Sequence, residues 1–339
     1  MGTENTSAGS RPEHRGLPYW MDRTLKELEK VRAAPEADAV HDTRVAMRRC
    51  RSVAAVMEEV DPDATWREMR KLARKPFRQL GALRDTQVLE EWTKKLAAEG
   101  DAVRRRLLEE FEKQEAEQRD AALKAAGRFD EKAWRRCERA LRRRARLVPV
   151  DSPTAECLAL ERLEETKQAH AQALRSDKPE PWHALRISVK RFRYTVESLL
   201  PGRYEEWAEG LKRLQDLLGE VHDLDVLRQA VERLASGEAE ESRAAFEQRI
   251  DGERRERLDT YRQLTLGKAS LWQHWRAGLP HGEHLDAAAW ARLRATCRAT
   301  DQDAARTSQI SRLTMRLFDA LGRADAGAVF ERHELRRVM

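Results

Sequence analysis

The chain has 339 residues, of which 37% are charged and only 6% are aromatic. Its 65 basic and 59 acidic residues give a formal net charge of +6 at pH 7. This composition favours long, solvated amphipathic helices over β-sheet. No run of about 18 apolar residues occurs, so no transmembrane helix is expected. The four cysteines form no Cys-x-x-Cys pair, a pattern typical of reduced thiols in a cytoplasmic protein.

The polar, glycine- and serine-containing residues 1–16 predict a disordered tail without a secretory signal. Helical periodicity begins near Leu17 and continues to about Gly278. It predicts a first set of helices at 18–33, 39–60, 63–98, 102–126 and 130–146. After a break at Pro149 and Pro153, it predicts a second set at 154–176, 182–200, 204–236 and 239–275. Three shorter helices are expected beyond Pro280, at about 286–299, 302–322 and 326–337.

A basic helical pattern occurs twice in this chain. Residues 41–51 read His-Asp-Thr-Arg-Val-Ala-Met-Arg-Arg-Cys-Arg, and residues 183–193 read His-Ala-Leu-Arg-Ile-Ser-Val-Lys-Arg-Phe-Arg. At about 100° per residue, positions 0, 3, 7 and 10 of each pattern lie within one quadrant of a helix. Cations held this close repel one another unless an anion lies against them. The two basic stripes therefore predict one polyanion site built from two halves. Their members are His41, Arg44, Arg48, Arg49 and Arg51 in the first copy, and His183, Arg186, Lys190, Arg191 and Arg193 in the second.

A second motif is also repeated. Residues 80–89 read Leu-Gly-Ala-Leu-Arg-Asp-Thr-Gln-Val-Leu, and residues 218–227 read Leu-Gly-Glu-Val-His-Asp-Leu-Asp-Val-Leu. A basic residue, Arg74 or Lys212, stands seven positions before each glycine, but Arg78 in the first copy corresponds to Asp216 in the second. The repeat predicts two four-helix units whose second and third helices present basic side chains to a shared space. We assign these units to 17–148 and 149–278, followed by a C-terminal helical extension at 279–339.

These motifs resemble the CHAD family, the conserved histidine α-helical domain. The matching segments are Val-His-Asp-x-Arg-Val-Ala-x-Arg-Arg-x-Arg from Val40, Leu-Gly-x-x-Arg-Asp from Leu80, His-x-Leu-Arg-Ile-x-x-Lys-Arg-x-Arg-Tyr from His183 and Leu-Gly-x-x-His-Asp-x-Asp-Val-Leu from Leu218. The resemblance covers about residues 17–275. It implies an all-α fold of two four-helix bundles, related by a pseudo-twofold axis, around a basic central groove or pore. It also implies non-catalytic binding of inorganic polyphosphate and localisation to polyphosphate granules in the cytoplasm.

The resemblance also implies a set of polyphosphate-binding positions, to which Asp216 does not conform. They are His41, Arg44, Arg48, Arg49, Arg51, Arg74, Arg78, Arg84, His183, Arg186, Lys190, Arg191, Arg193, Lys212 and His222. No cofactor, metal or membrane partner is expected, and the oligomeric state is left open. Bound phosphate would draw the histidines toward their charged form, which predicts tighter binding below about pH 7.

Three other interpretations of the stripes remain open. They could be solvated faces paired with acids, with Arg51 and Arg193 held by Asp85 and Asp223 in a purely structural adaptor. A nucleic-acid or generic polyanion module would share the basic surface, although only Phe192 and Tyr194 add aromatic rings to the stripes. A polyphosphate-processing enzyme or its accessory subunit would require carboxylates that hold a metal.

The two His-Asp dipeptides, at 41–42 and 222–223, raise the possibility of a metal phosphohydrolase. His222, however, aligns with Arg84, which cannot serve as a metal ligand. A position that accepts either arginine or histidine requires a cation, which favours binding over hydrolysis.

Overall fold

The computed structural model describes residues 16–234, 240–301 and 303–323, and within these ranges it contains twelve α-helices and no strand. The first five are α1 (Leu17–Ala33), α2 (Ala37–Met57), α3 (Ala64–Leu96), α4 (Ala102–Gly127) and α5 (Glu131–Arg144). The next five are α6 (Pro153–Ala173), α7 (Pro179–Leu199), α8 (Pro201–Arg233), α9 (Glu240–Thr265) and α10 (Leu271–Ala277). The last two are α11 (Glu283–Thr300) and α12 (Ala304–Arg323). The all-α prediction is confirmed, whereas residues 1–15 of the predicted tail and the helix predicted at 326–337 lie outside the described residues.

One predicted helix is wrong, because the segment 239–275 forms two helices rather than one. Helix α9 ends at Thr265 and α10 begins at Leu271. Between them, Gly267 has a φ of +86°, a backbone conformation that glycine adopts without steric cost. Ser270 then precedes the first residue of α10. The apolar periodicity continues through this turn, which conceals the break in the sequence.

The helices form two series in which successive helices pack on one another in the same order. Within the first series α1 packs on α2, α2 on α3 and α3 on α4, and the same succession joins α6, α7, α8 and α9. Helix α5 is added to α1 and α3, while α10 and α11 are added to α6. Helices at equivalent places in the two series also meet: α2 packs on α7, α3 on α8 and α4 on α9. The two basic helices, α2 and α7, therefore lie side by side; the pseudo-twofold relation between the series stays a prediction.

Large aromatic side chains form much of the main hydrophobic core. Trp66, Trp134, Trp182, Trp207 and Trp275 are each almost fully buried. A second, smaller core joins the ends of α3, α4, α8 and α9. Burial of this much apolar surface fixes the helix positions, so the basic side chains project from a rigid floor.

Candidate polyanion-binding site

A cleft of about 870 Å³ lies where α2 and α7 meet, with α3, α6 and α8 completing its walls. Eight cationic and three acidic side chains line it. The cations are Arg44, Arg48, Arg51, Arg70, Arg162, Arg186, Lys190 and Arg191. The acids are Glu59, Asp85 and Asp223. The cleft is therefore strongly positive and concave, which concentrates its field on any anion that enters.

The arginines from α2 are held mainly by neutral groups. The Arg48 guanidinium donates a hydrogen bond of 2.9 Å to the hydroxyl of Tyr194 on α7. The guanidinium groups of Arg44 and Arg51 lie 5.2 and 4.6 Å from the centre of the Phe77 ring. Burial lowers the pKa of both arginines. Because aromatic rings and a hydroxyl hold these groups without neutralising them, their charge remains available to a ligand.

The cations from α7 are still less compensated. In the described part of the chain, Arg186, Lys190 and Arg191 form no ion pair. The buried Nε of Arg186 also has no hydrogen-bond partner. Burial, together with the nearby Arg186 and Arg48, lowers the pKa of Lys190 to about 7. An unpaired buried donor and a lysine whose pKa is lowered by burial and by neighbouring cations both favour an anion in this position.

The two aspartates lie among these cations, Asp223 half-buried and Asp85 with 75% of its side chain exposed. Burial raises the pKa of Asp223 to about 6. Asp85 lies 4.0 Å from Arg44, not beside Arg51 as one interpretation of the sequence proposed. Arg193 likewise does not pair with Asp223, because its guanidinium donates to the Tyr204 hydroxyl at 3.4 Å. The aspartates therefore offset only part of the positive charge.

Two histidines meet at one end of the cleft. The Nδ1 atoms of His183 on α7 and His222 on α8 lie 3.3 Å apart. Burial and the neighbouring Arg186 lower the pKa of both imidazoles, that of His222 to about 4. Both rings are therefore neutral at pH 7 in the free protein. The expected charge on these histidines below pH 7 requires a bound anion to restore it.

Comparison with known proteins identifies this architecture. The family model described as the CHAD domain matches residues 20–232. The chain belongs to the CHAD family. No curated protein sequence matches it significantly.

Solved structures show the same CHAD fold. PptA from Streptomyces chartreusis is 16% identical, with a TM-score of 0.53 over 82% of this chain and 95% of that one. The CHAD domain from the plant Ricinus communis is 20% identical, with a TM-score of 0.50 over 80% of this chain and 94% of that one. At these identities the likeness establishes the fold alone.

The structure brings seven of the predicted CHAD positions into the cleft. These are Arg44, Arg48, Arg51, Arg186, Lys190, Arg191 and His222. His183 is exposed and joins them only through its contact with His222. His41, Arg74 and Arg78 are exposed and do not line the cleft. Arg84, also outside the lining, pairs with Glu91 at 3.2 Å.

Three other predicted positions are engaged in contacts outside the cleft. Arg49 forms an ion pair of 2.6 Å with the buried Glu197 and lies 4.3 Å from the Trp20 ring, so it joins α2 to α7. Lys212 lies in a separate groove of about 460 Å³ between α8 and α9, paired with Asp216 at 2.7 Å. Arg193 is held by Tyr204, as described above.

Four side chains that line the cleft were not among the predicted binding positions. Phe77 and Tyr194 hold the arginines, and the only sequence signal was that Tyr194 continues the second stripe. Arg70 is paired with Glu58 at 2.8 Å. Arg162 is paired with Glu59 and Glu165. Because acids already hold them, Arg70 and Arg162 contribute less free charge than the stripe residues.

Among the described residues, no group of three or more histidine, cysteine or acidic side chains is arranged to hold a metal ion. No described helix combines the length and the apolar character needed to span a bilayer.

Proposed function

We propose that this protein binds inorganic polyphosphate in the cleft between α2 and α7 and does not transform it. The observation that carries this proposal is the convergence of unpaired cations from two helices on one concave surface. Membership of the CHAD family supports the same ligand. Polyphosphate has about one negative charge per phosphate unit, and a row of fixed cations binds such a chain by releasing its counterions.

The side chains of the cleft suit phosphate oxygens in particular. The planar guanidinium group donates two parallel hydrogen bonds to one phosphate, and lysine adds a compact charge. The floor of packed helices is rigid, so binding requires little ordering of the protein. These features favour a ligand that is recognised through its charge and its oxygens.

The aromatic groups of the cleft support polyphosphate over nucleic acid. Guanidinium groups of Arg44 and Arg51 face the Phe77 ring, and Arg48 engages the Tyr194 hydroxyl. Proteins that bind single-stranded nucleic acid stack bases on aromatic side chains. Here the aromatic groups already contact arginines, which leaves them poorly placed to stack on bases.

The setting of the carboxylates supports binding over hydrolysis. Asp85 and Asp223 each lie among cations, and burial raises the pKa of Asp223 to about 6. Divalent metal catalysis of phosphoryl transfer requires ionised carboxylates grouped around the ion. In this cleft the aspartates instead orient arginines. A non-catalytic binder of this kind would localise to polyphosphate granules in the cytoplasm.

The test is the binding of long-chain polyphosphate at two salt concentrations, with single-stranded RNA of matched charge as competitor. We expect a steep salt dependence and a clear preference for polyphosphate. Arg48→Gln and Arg186→Gln should each weaken binding about tenfold or more, since each removes a charge-assisted hydrogen bond. Each should also lower the slope of log K against log salt by about 0.7.

Arg142→Gln is the matched control, because this exposed arginine pairs with Glu138 on α5, away from the cleft. It should leave binding unchanged. An equal loss in Arg142→Gln, or no binding at low salt, would overturn the proposal. Equal competition by RNA would reduce the site to a generic polyanion binder.

A further inference from the structure

Outside the cleft, α3 and α5 each carry a row of cations with the same spacing. Successive members of each row are four, three and four residues apart. At 3.6 residues per turn this spacing keeps each row within about 60° of its helix surface, over a length of about 16 Å. All eight side chains are exposed, and together we call them the outer basic surface. They are Arg67, Lys71, Arg74 and Arg78 on α3, and Lys132, Arg136, Arg139 and Arg143 on α5.

Acidic side chains offset little of this charge. Arg136 forms an ion pair with Glu68 on α3. The other seven members form no ion pair within the part of the chain that the structure describes. Arg142, which pairs with Glu138, lies about 90° round α5 from the centre of its row and is not a member. Like charges at this spacing repel one another, and a bound anion would relieve that repulsion.

The row on α3 lies between the cleft and α5. On the helical projection, Arg70, which lines the cleft, stands on one side of the row. Glu68, which pairs with Arg136 of α5, stands on the other side. Burial and the charges of Arg70 and Arg74 lower the pKa of Arg51 in the cleft, so Arg74 lies near the cleft wall. Positive charge therefore continues from the cleft over α3 to α5.

The chemistry of the outer basic surface fits a chain of phosphates better than a nucleic acid. None of the exposed large apolar side chains that the structure describes is aromatic. Proteins that bind single-stranded nucleic acid combine a basic groove with aromatic side chains on which bases stack. A surface of cations alone suits a flexible anion without bases.

We propose that a long polyphosphate chain held in the cleft continues over the outer basic surface, along α3 and then onto α5. This inference rests on the proposed function, because the cleft holds the first part of the chain. Once that part is bound, the remaining units are presented to the outer surface at a high effective concentration. Chains too short to leave the cleft gain nothing from it. The protein would therefore select long polyphosphate over short chains of the same composition.

Affinity for two chain lengths tests the proposal on the full chain. The outer-surface variant combines four substitutions outside the cleft, namely Arg67→Gln, Lys71→Gln, Arg139→Gln and Arg143→Gln. For chains of about 100 phosphate units, we expect it to bind about tenfold or more weakly than the wild type. The slope of log K against log salt should fall by about 2–3, since four cations are removed. For chains of about six units, its affinity should equal that of the wild type.

The matched control removes the same charge from other exposed positions that lie outside both the cleft and the two rows. It combines Arg105→Gln, Lys113→Gln, Arg255→Gln and Lys268→Gln. This variant should bind long and short chains as the wild type does. An equal loss of long-chain affinity in the control would overturn the inference, because net charge alone would then account for the effect.

Acetylation of exposed lysines, read by mass spectrometry, gives a direct measure of where the chain lies. On the wild-type protein, long polyphosphate should protect Lys71 and Lys132, and the short chain should protect neither. Lys113, in the glutamate-rich part of α4, should react equally with and without either ligand. Reaction of Lys71 and Lys132 that long chains leave unchanged would contradict the proposed path.

The two proposals fail in different ways. If the wild type binds neither chain length, the proposed function falls and this inference with it. If both lengths bind and the outer-surface variant keeps the wild-type affinity for long chains, only this inference falls. It falls also if that variant loses binding of single-stranded RNA but not of long polyphosphate, because the outer surface would then serve nucleic acid.

Discussion

Lys190 makes polyphosphate binding depend on pH in a direction that can be worked out. It lies on α7 beside Arg186, faces Arg44 and Arg48 on α2, and has Asp223 on α8 as a partial counter-charge. Asp85 on α3 acts on it from the remaining side. Burial and the cations lower its pKa to about 7. Phosphate oxygens in the cleft would restore the pKa to its ordinary range, so binding is accompanied by proton uptake.

The magnitude follows from the size of this shift. Below pH 7 Lys190 is charged before the ligand arrives and no longer makes the affinity depend on pH. Above pH 7 each unit of pH removes about a factor of ten, since the proton must be taken up on binding. We expect affinity to fall about tenfold between pH 6 and pH 8, and about tenfold more by pH 9. Long chains keep the contribution of the titrating terminal phosphates small.

The matched variants are Lys190→Arg and Lys190→Met. Arginine stays protonated throughout this range. At pH 6, Lys190→Arg should therefore bind polyphosphate as tightly as the wild type does. At pH 8 it should bind about tenfold more tightly than the wild type. Lys190→Met should bind polyphosphate weakly at both pH values, and its affinity should not change with pH. Fluorescence anisotropy of labelled polyphosphate at constant ionic strength measures all three.

The reasoning is refuted if wild-type affinity is flat from pH 6 to pH 9. It is refuted equally if Lys190→Arg retains the wild-type slope, because another group would then be taking up the proton.

Gly81→Ala places a methyl group against the Arg44 guanidinium and should weaken polyphosphate binding about tenfold. Gly219 occupies the same motif position in the second copy, and a methyl group there would meet open space. Gly219→Ala should therefore leave polyphosphate binding unchanged and raise the free energy of unfolding, measured in urea, by about 0.5–1 kcal/mol. Lys190→Met should raise the free energy of unfolding at pH 6 by about 1–2 kcal/mol. The gain should shrink toward pH 10, because the lysine, whose pKa folding lowers, then loses its charge in both states. Glu197→Gln leaves a half-buried arginine unpaired and should cost about 2–3 kcal/mol; an unchanged urea midpoint would contradict this.

Sequence periodicity was sufficient for the fold class, since each long helix repeats its apolar residues with the helical period. The repeat also indicated that α2 and α7 would supply one basic site, and the structure places these helices in contact. The turn between α9 and α10 escaped prediction because its apolar residues remain in phase. Its one sequence signal was Gly267, whose positive φ no periodicity reveals.

The sequence did not predict which partner each arginine side chain would contact. Arg48 and Arg49 are neighbours on one stripe, yet the first faces the cleft and the second pairs with Glu197, which is distant in the chain. The position of the first copy that corresponds to Glu197 is Ala55. Arg191, the counterpart of Arg49, therefore has no matching carboxylate. Charge balance depends on which side chains oppose one another across helices, and the pattern within one helix does not contain that information.

The contact between α2 and α7 has a consequence for the resistance of the protein to proteolysis. Both helices contribute to the cleft, and Arg48 already bridges them through Tyr194. A polyanion that contacts both helices binds only the folded chain, so it raises the free energy of unfolding. At a ligand concentration one hundred times the Kd, the increase is about 2.7 kcal/mol. Proteases act on the opened chain, whose population falls by the same factor. The abundance of the protein in a cell would thus follow the supply of its ligand, without any change in its synthesis.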